Sequence, residues 1–254
     1  SQMGIADLPT AMQARGKGAD LTAVMVIYAN TPQGFYWLKS SGINGPKDFT
    51  GRKIGNPPGD AARLMWPAFA KNAGLDAGSV NFVNLSPQAK VAALKAKSVD
   101  IISDFYNEHD LKVREFGNDL GFAPWRSVGL NVYGNSIVVN RAFLDKNKDL
   151  VAKFVAVTQR AYDACVKSFD PCLQALMADV SGLSADNQRD QWGRIKMLMR
   201  DDTTTKVALG AFDAGRVKAD YELVGSLIGI DKAFDPATMF TNEFLDQKVR
   251  MTGQ

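Results

Sequence analysis

Residues 53–74, KIGNPPGDAARLMWPAFAKNAG, read as a short strand that passes through a Pro-Gly turn into a helix closed by Gly74. A helix start offers bare backbone N–H groups and partial positive charge. In open α/β sheets, ligands therefore gather at the carboxyl ends of the strands that feed such helices.

Working outward, apolar β-rich segments alternate with helical patterns: AVMVIY (23–28), GFYWLK (34–39), KIGN (53–56), VNFVNL (80–85), VDIISDF (99–105) and NSIVVN (135–140). Helices are expected between them at 8–15, 61–73, 87–97 and 108–116, which is the rhythm of an α/β sheet. Beyond residue 141 the chain turns helical: 148–168, where Leu150, Phe154, Val157 and Ala161 recur at helical spacing, then 171–180, 186–200, 204–214 and 216–228. In QWGRIKMLMR (191–200), Trp192, Ile195, Leu198 and Met199 are expected in a core. Two stretches rich in Gly and Asn, 39–53 and 126–143, look like crossings between two lobes. They place residues 46–140 in one lobe and residues 1–45 with 141–254 in the other.

The 254 residues are 46% hydrophobic and 22% charged, ordinary for a folded globular chain. A net charge of +3 without like-charge blocks gives no footprint for nucleic acid or a polybasic membrane surface. Apolar runs fall short of the roughly 18 residues of a membrane span, so no direct membrane insertion is expected. SQMGIADLPTAMQARGKG lacks the plan of a signal peptide, and any export signal is expected to lie outside this chain. One histidine, His109, and two cysteines leave little material for a Cys/His zinc site or a Ser-His-Asp triad, and no metal or cofactor is expected. His109 reads as a surface or capping residue of an amphipathic helix. Cys165 and Cys172 flank VKSFDP at a helix–helix corner: either they bridge, implying an oxidising compartment, or they are two small buried thiols.

Strand-to-helix turns recur at GIADLPTAM (4–12), GNPPGDAARLMW (55–66), NLSPQAK (84–90) and SDFYNEHDL (103–111). Asp7, Asp60 and Ser86 are favoured N-cap types, so each turn alone reads as a capped helix. The set gains weight from Tyr28, Asn30, Tyr36, Phe105, Tyr106, Asn107, Glu108 and Tyr133, placed at strand ends, loops or crossings. Rings supply area and stacking for a small-molecule site, and a few polar atoms set orientation. Tyr106, Asn107 and Glu108 are the leading candidates.

In order and spacing, GIADLPTAMQARGKGADLTAVMVIY, SGINGPKDFTGRKIGNPPGDAARL, ALKAKSVDIISDFYNEHDL and NSIVVNRAFLDKNKDLVAKFVAVTQRAY resemble the NMT1/THI5-like substrate-binding proteins of ABC importers, a group that includes sulfonate, nitrate and pyrimidine-precursor binders. The resemblance implies an α/β, type II periplasmic-binding-protein fold: two Rossmann-like lobes with a ligand cleft between them, closing on one small molecule for delivery to a permease. It also implies a periplasmic or extracytoplasmic, monomeric protein that is not an enzyme. Carried over by position, ligand contacts fall on Asp7, Pro9 and Thr10; on Tyr28 and Asn30; on Gly59, Asp60 and Ala61; and on Asn107 and Glu108. Family members begin with a further strand-helix-strand-helix portion before the equivalent of GIADLP, which this chain lacks, so the first lobe's sheet is expected to be incomplete.

Carboxylates at Asp60, Asp104 and Glu108 disfavour an anionic ligand and favour a flat neutral or amine-bearing ring, such as a pyrimidine-type precursor, with Glu108 accepting N–H bonds. Arg63, three residues after Asp60, works against this: pairing with Asp60 would cancel the local charge and readmit a sulfonate, nitrate or carboxylate. The rivals are a pyrimidine-precursor-synthesis enzyme on the same fold, whose Cys-rich motif is missing here, and a sensor module.

Overall fold

A computed structural model describes residues 1–252. In chain order the strands are β1 (Met3–Asp7), β2 (Leu21–Val26), β3 (Gln33–Leu38), β4 (Lys53–Asn56), β5 (Asn81–Asn84), β6 (Ile101–Phe105), β7 (Leu120–Pro124) and β8 (Asn135–Asn140). The α-helices are α1 (Leu8–Gly16), α2 (Ala61–Leu64), α3 (Trp66–Ala73), α4 (Lys90–Lys95), α5 (His109–Phe116), α6 (Arg141–Lys146), α7 (Lys148–Lys167), α8 (Phe169–Asp179), α9 (Ala185–Met199), α10 (Asp202–Lys206) and α11 (Ala214–Leu227). The chain forms two compact units: Ser1–Asn30 with the chain from Val132 onward, and Thr31–Asn131.

The Thr31–Asn131 unit is built on a five-stranded sheet in the order β5-β4-β6-β3-β7. β4 runs parallel to β5 and β6, whereas β3 is antiparallel to β6 and β7. All six residues of β3 are buried, which explains why QGFYWL is apolar on both faces rather than alternating. On one face Phe35 packs edge-on against Phe49, Trp66 and Phe69. On the other, Tyr36, Leu38, Leu94, Val99, Ile102 and Leu120 form a second apolar layer. Gly74 closes α3 in the left-handed conformation (φ 73°), as the sequence predicts.

In the other unit β8 lies between β1 and β2, antiparallel to both. α7 buries Val151, Val155 and Gln159. Cys165 and Cys172 are bridged across the α7–α8 corner, with Cα atoms 5.8 Å apart. α11 grips both segments that lead toward the other unit: Arg216 donates to the Ala29 carbonyl and lies 4.1 Å from the Tyr133 ring centroid, and Asp220 accepts from Tyr133 N–H at 2.9 Å. Burial pushes the Asp220 carboxyl up to about 7. The same cause pushes the Tyr133 phenol up to about 12.

The unit boundaries differ from those read in the sequence. Residues 31–45 belong with the five-stranded sheet because β3 pairs with β6 and β7, and residues 132–140 belong with the three-stranded sheet because β8 pairs with β1 and β2. The second Gly/Asn-rich stretch contains one passage of the chain, at Asn131/Val132; the other falls at Asn30/Thr31, before the first such stretch. Residues 253 and 254 of the expected first lobe lie outside the described residues. The helix expected over 61–73 is interrupted at Met65, two residues before Pro67, which has no N–H to continue the ladder. The helix expected over 204–214 stops at Lys206. Leu150, Phe154 and Val157 are 57%, 46% and 55% exposed, so the stripe at helical spacing is not the face that α7 buries.

Candidate functional site

β4, β5 and β6 point the same way, so Asn56, Asn84 and Phe105, their last residues, share one edge of the sheet. Beyond that edge lie the turn 57–60, the segment entering the 3-10 turn at Pro87–Ala89, and the 3-10 turn Tyr106–Glu108. The topology thereby brings Asp60, Arg63, Tyr106, Asn107 and Glu108 to one end of one sheet, with Gly59 and Ala61 beside Asp60.

Asp60 caps α2: its Oδ1 accepts from Ala62 N–H at 2.8 Å. Burial raises its carboxyl above the ordinary range, against the opposing effects of that hydrogen bond and of Lys90. Arg63 turns elsewhere, donating to Asn84 Oδ1 at 2.7 Å and lying 4.7 Å from the Phe82 ring centroid. Asp104 sits between two buried ammonium groups, Lys112 Nζ at 2.7 Å and Lys90 Nζ at 3.1 Å. Burial pushes the Asp104 carboxyl up, but Lys112 and Lys90 outweigh it and hold the group below the ordinary range. Lys90 also donates to the Ser103 carbonyl at 2.8 Å. Glu108 stands at the outer end, 45% exposed, with Oε2 3.7 Å from Lys112 Nζ.

Asn107 is buried, and its Oδ1 has no hydrogen-bond partner among the described residues. The same holds for both amide atoms of Asn56, which is fully buried at the end of β4. Unmet buried polar atoms are costly, about 1–3 kcal/mol each, and their concentration along one strand edge marks it as a place for a guest.

In the unit holding β1, Asp7 ends that strand as the N-cap of α1, without a side-chain cap bond, and Pro9 and Thr10 follow in the first turn. Asp7 pairs with Asn135 in register, while Asn135 O accepts from Ile27 N and Tyr28 N and Gly134 N donates to Tyr28 O. Asp7 and Tyr28 thus flank the start of β8, although Tyr28 is only 8% exposed. Asn30 serves the scaffold, because its Nδ2 donates to the carbonyl of Arg200 at 2.7 Å, where α9 ends. Tyr36 and Tyr133 are fully buried, so the expectation that they stand outside the core is corrected; Tyr36 is mid-strand and Tyr133 OH accepts from Asp213 N–H. His109 is the first residue of α5, in the capping turn as expected, and is half-buried against the rings of Tyr36, Tyr106 and Phe122.

Sequence reading passed over Asn56, Asn84, Lys90 and Lys112. Two signals were available. KIGN and NFVN both end in Asn, and Lys112 follows Glu108 by one helical turn.

Residues 1–170 match the family described as NMT1/THI5 like, and the chain belongs to that family. Among curated proteins none matches in sequence. The fold is similar to the alkanesulfonate-binding protein SsuA from Xanthomonas axonopodis pv. citri bound to MOPS: TM-score 0.73 and 20% identity over 95% of this chain and 80% of that one. It is similar to the periplasmic aliphatic sulphonate binding protein SsuA from Escherichia coli, with TM-score 0.68 and 16% identity over 92% of this chain and 76% of that one. It is also similar to the desulfurization enzyme DSZB, with TM-score 0.59 and 12% identity over 95% of this chain and 83% of that one. The fold is that of the periplasmic binding proteins, the class expected from the sequence.

Among the described residues no helix is long and apolar enough to cross a membrane, and no group of His, Cys, Asp and Glu could hold a metal ion.

Proposed function

We propose that the chain is an extracytoplasmic solute-binding protein of an ABC importer, which captures a small organic ligand and passes it to a permease. The observation that carries this reading is the set of half-buried and buried polar groups at the carboxyl ends of β4, β5 and β6, where Asp60, Asn56 and Asn107 stand together at one sheet edge. Family membership and the fold of two sulfonate-binding proteins support it. The Cys165–Cys172 bridge fits an oxidising compartment. In the Thr31–Asn131 unit, ligand contacts are drawn from Gly59, Asp60, Ala61, Tyr106, Asn107 and Glu108. Binding shifts the population toward a closed form, and the protein works as a monomer without chemistry of its own.

The ligand favoured by this chemistry is a flat ring bearing N–H groups. Arg63 donates to Asn84 and makes no direct pair with Asp60, so the Asp60 carboxyl remains available to accept an N–H from the ligand, with Lys90 and Arg63 acting on it only at longer range. A second reading, a sulfonate, is favoured by Lys90 and Lys112, two buried cations that share one buried carboxylate. Calorimetry separates them. Binding of 4-aminopyrimidine with no response to ethanesulfonate supports the ring; the reverse supports the sulfonate. Recovery of the bound compound unchanged supports a binder, and any product formed from it supports an enzyme.

A further inference from the structure

We infer that Asp220 is a proton-operated latch on the two segments by which the chain passes between its units: while its carboxyl is neutral both are held, and ionisation loosens both. The latch lies wholly within the unit that holds β8 and works whichever ligand is bound.

Asp220 stands on the wrong face of α11 for a carboxylate. Val217, Asp220 and Val224 recur at helical spacing and all three are buried, so Asp220 interrupts an apolar stripe. Among the described residues it accepts one hydrogen bond, from Tyr133 N–H at 2.9 Å. Arg216, one turn earlier on α11, is committed to Asp201 Oδ2, to the Ala29 carbonyl and to the face of the Tyr133 ring. The packed elements bring these further charged groups. Asp213 caps α11 and gives its own N–H to Tyr133 OH. On α1, Asp7 stands at the cap and Arg15 is bound to Thr238. Asp235 caps the 3-10 turn at Pro236–Met239, and Lys218 pairs with Glu222 on the exposed side of α11. A carboxylate formed at Asp220 thus has the full cost of burial against one N–H and a guanidinium at longer range. Burial wins, which is why the group titrates at about 7.

The latch reaches both segments because they are fastened to each other. Gly134 N–H, next to Tyr133, donates to the Tyr28 carbonyl at 2.9 Å, and Tyr28 N–H donates to the Asn135 carbonyl at 3.1 Å. Ala29, which follows, is held by Arg216 at 2.8 Å. α11, Tyr133, Gly134, Tyr28 and Ala29 therefore close a ring, with Asp220 and Arg216 as its two clasps. Local opening lets water reach Asp220 and returns its carboxyl to the ordinary value of about 4, so the opened state releases a proton that the closed state keeps. Opening thus becomes easier by about tenfold per pH unit between about pH 4 and pH 7, and levels off above.

The test is amide hydrogen exchange of the full chain from about pH 5 to pH 8, read by NMR and corrected for the chemical dependence of exchange on pH. In wild type, protection of the Tyr28, Tyr133 and Gly134 amides is expected to fall about tenfold per pH unit up to about pH 7, while amides of β6 show no such slope. Asp220→Asn keeps an acceptor for Tyr133 N–H and is expected to remove the slope. If Asp220 merely packs, wild type shows no slope, or Asp220→Asn shows the same one; either result overturns the latch. A slope shared by β6 reports unfolding of the whole chain and overturns it too. A carbon-13 titration of the Asp220 carboxyl in wild type needs no variant: a midpoint of about 7 supports the latch, and one at the ordinary value of about 4 overturns it.

Discussion

Arg63 donates its guanidinium to Asn84, 2.7 Å away on the neighbouring strand, and not to Asp60, three residues earlier. That one choice of partner leaves the Asp60 carboxylate as a half-buried negative group at the end of the sheet, tied to its own helix by Ala62 N–H.

Asp60→Asn keeps an oxygen for the Ala62 N–H and removes the charge, so stability is expected to change by less than about 1 kcal/mol. Affinity for an amine-bearing ring is expected to fall about tenfold, and any affinity for ethanesulfonate to rise. Asp60→Ala loses the cap as well and is expected to cost about 0.5–2 kcal/mol in urea unfolding.

Asp220 makes stability fall as pH rises. Its folded value, about 7, lies above the unfolded one, so between about pH 4 and pH 7 the folded state holds a proton that the unfolded chain has released. Stability from this group is full below that window and lost across it. Asp220→Asn preserves an acceptor for Tyr133 N–H without the buried charge. Its thermal midpoint is expected to be flatter from pH 4 to pH 8 and higher than wild type at pH 8.

Asp104 has the opposite sign. Lys112 and Lys90 overcome burial and depress it, so its contribution is present above the unfolded carboxylate value and is lost as pH falls through the folded one. Lys112→Met leaves the carboxylate with Lys90 alone and is expected to cost about 3–5 kcal/mol at pH 7, with a shallower acid limb in the pH–stability profile.

Cys165 and Cys172 lie seven residues apart, and closing so short a loop stabilises by only about 2–3 kcal/mol in the chain-entropy account. The Cys165→Ser, Cys172→Ser double variant is expected to lose about that much in denaturant unfolding while retaining wild-type ligand affinity.

Much of the architecture was legible because KIGNPPGD and VDIISDFYNE each carry a β-rich run, a turn and a polar strand end. Strand partners were less so. GFYWLK reads as a strand from its composition, yet nothing local says that it pairs with β6 and β7, since pairing is decided by residues far away in the chain. β7 went unseen because LGFAP is short and contains Gly and Pro, the residues that otherwise signal a turn. Leu150, Phe154 and Val157 obey the helical period and are nevertheless exposed, because a period identifies a stripe and says nothing of what covers it. At the site, side-chain types were legible while their partners were not. Asp60 and Arg63 stand one turn apart, and only the neighbouring strand decides that Arg63 turns to Asn84.

α11 holds the carbonyl of Ala29 through Arg216 and the amide of Tyr133 through Asp220, which are the two places where the chain is about to leave its own unit. One helix is thus a common moorage for both strands of the connection. A substitution along it will slacken the pair together.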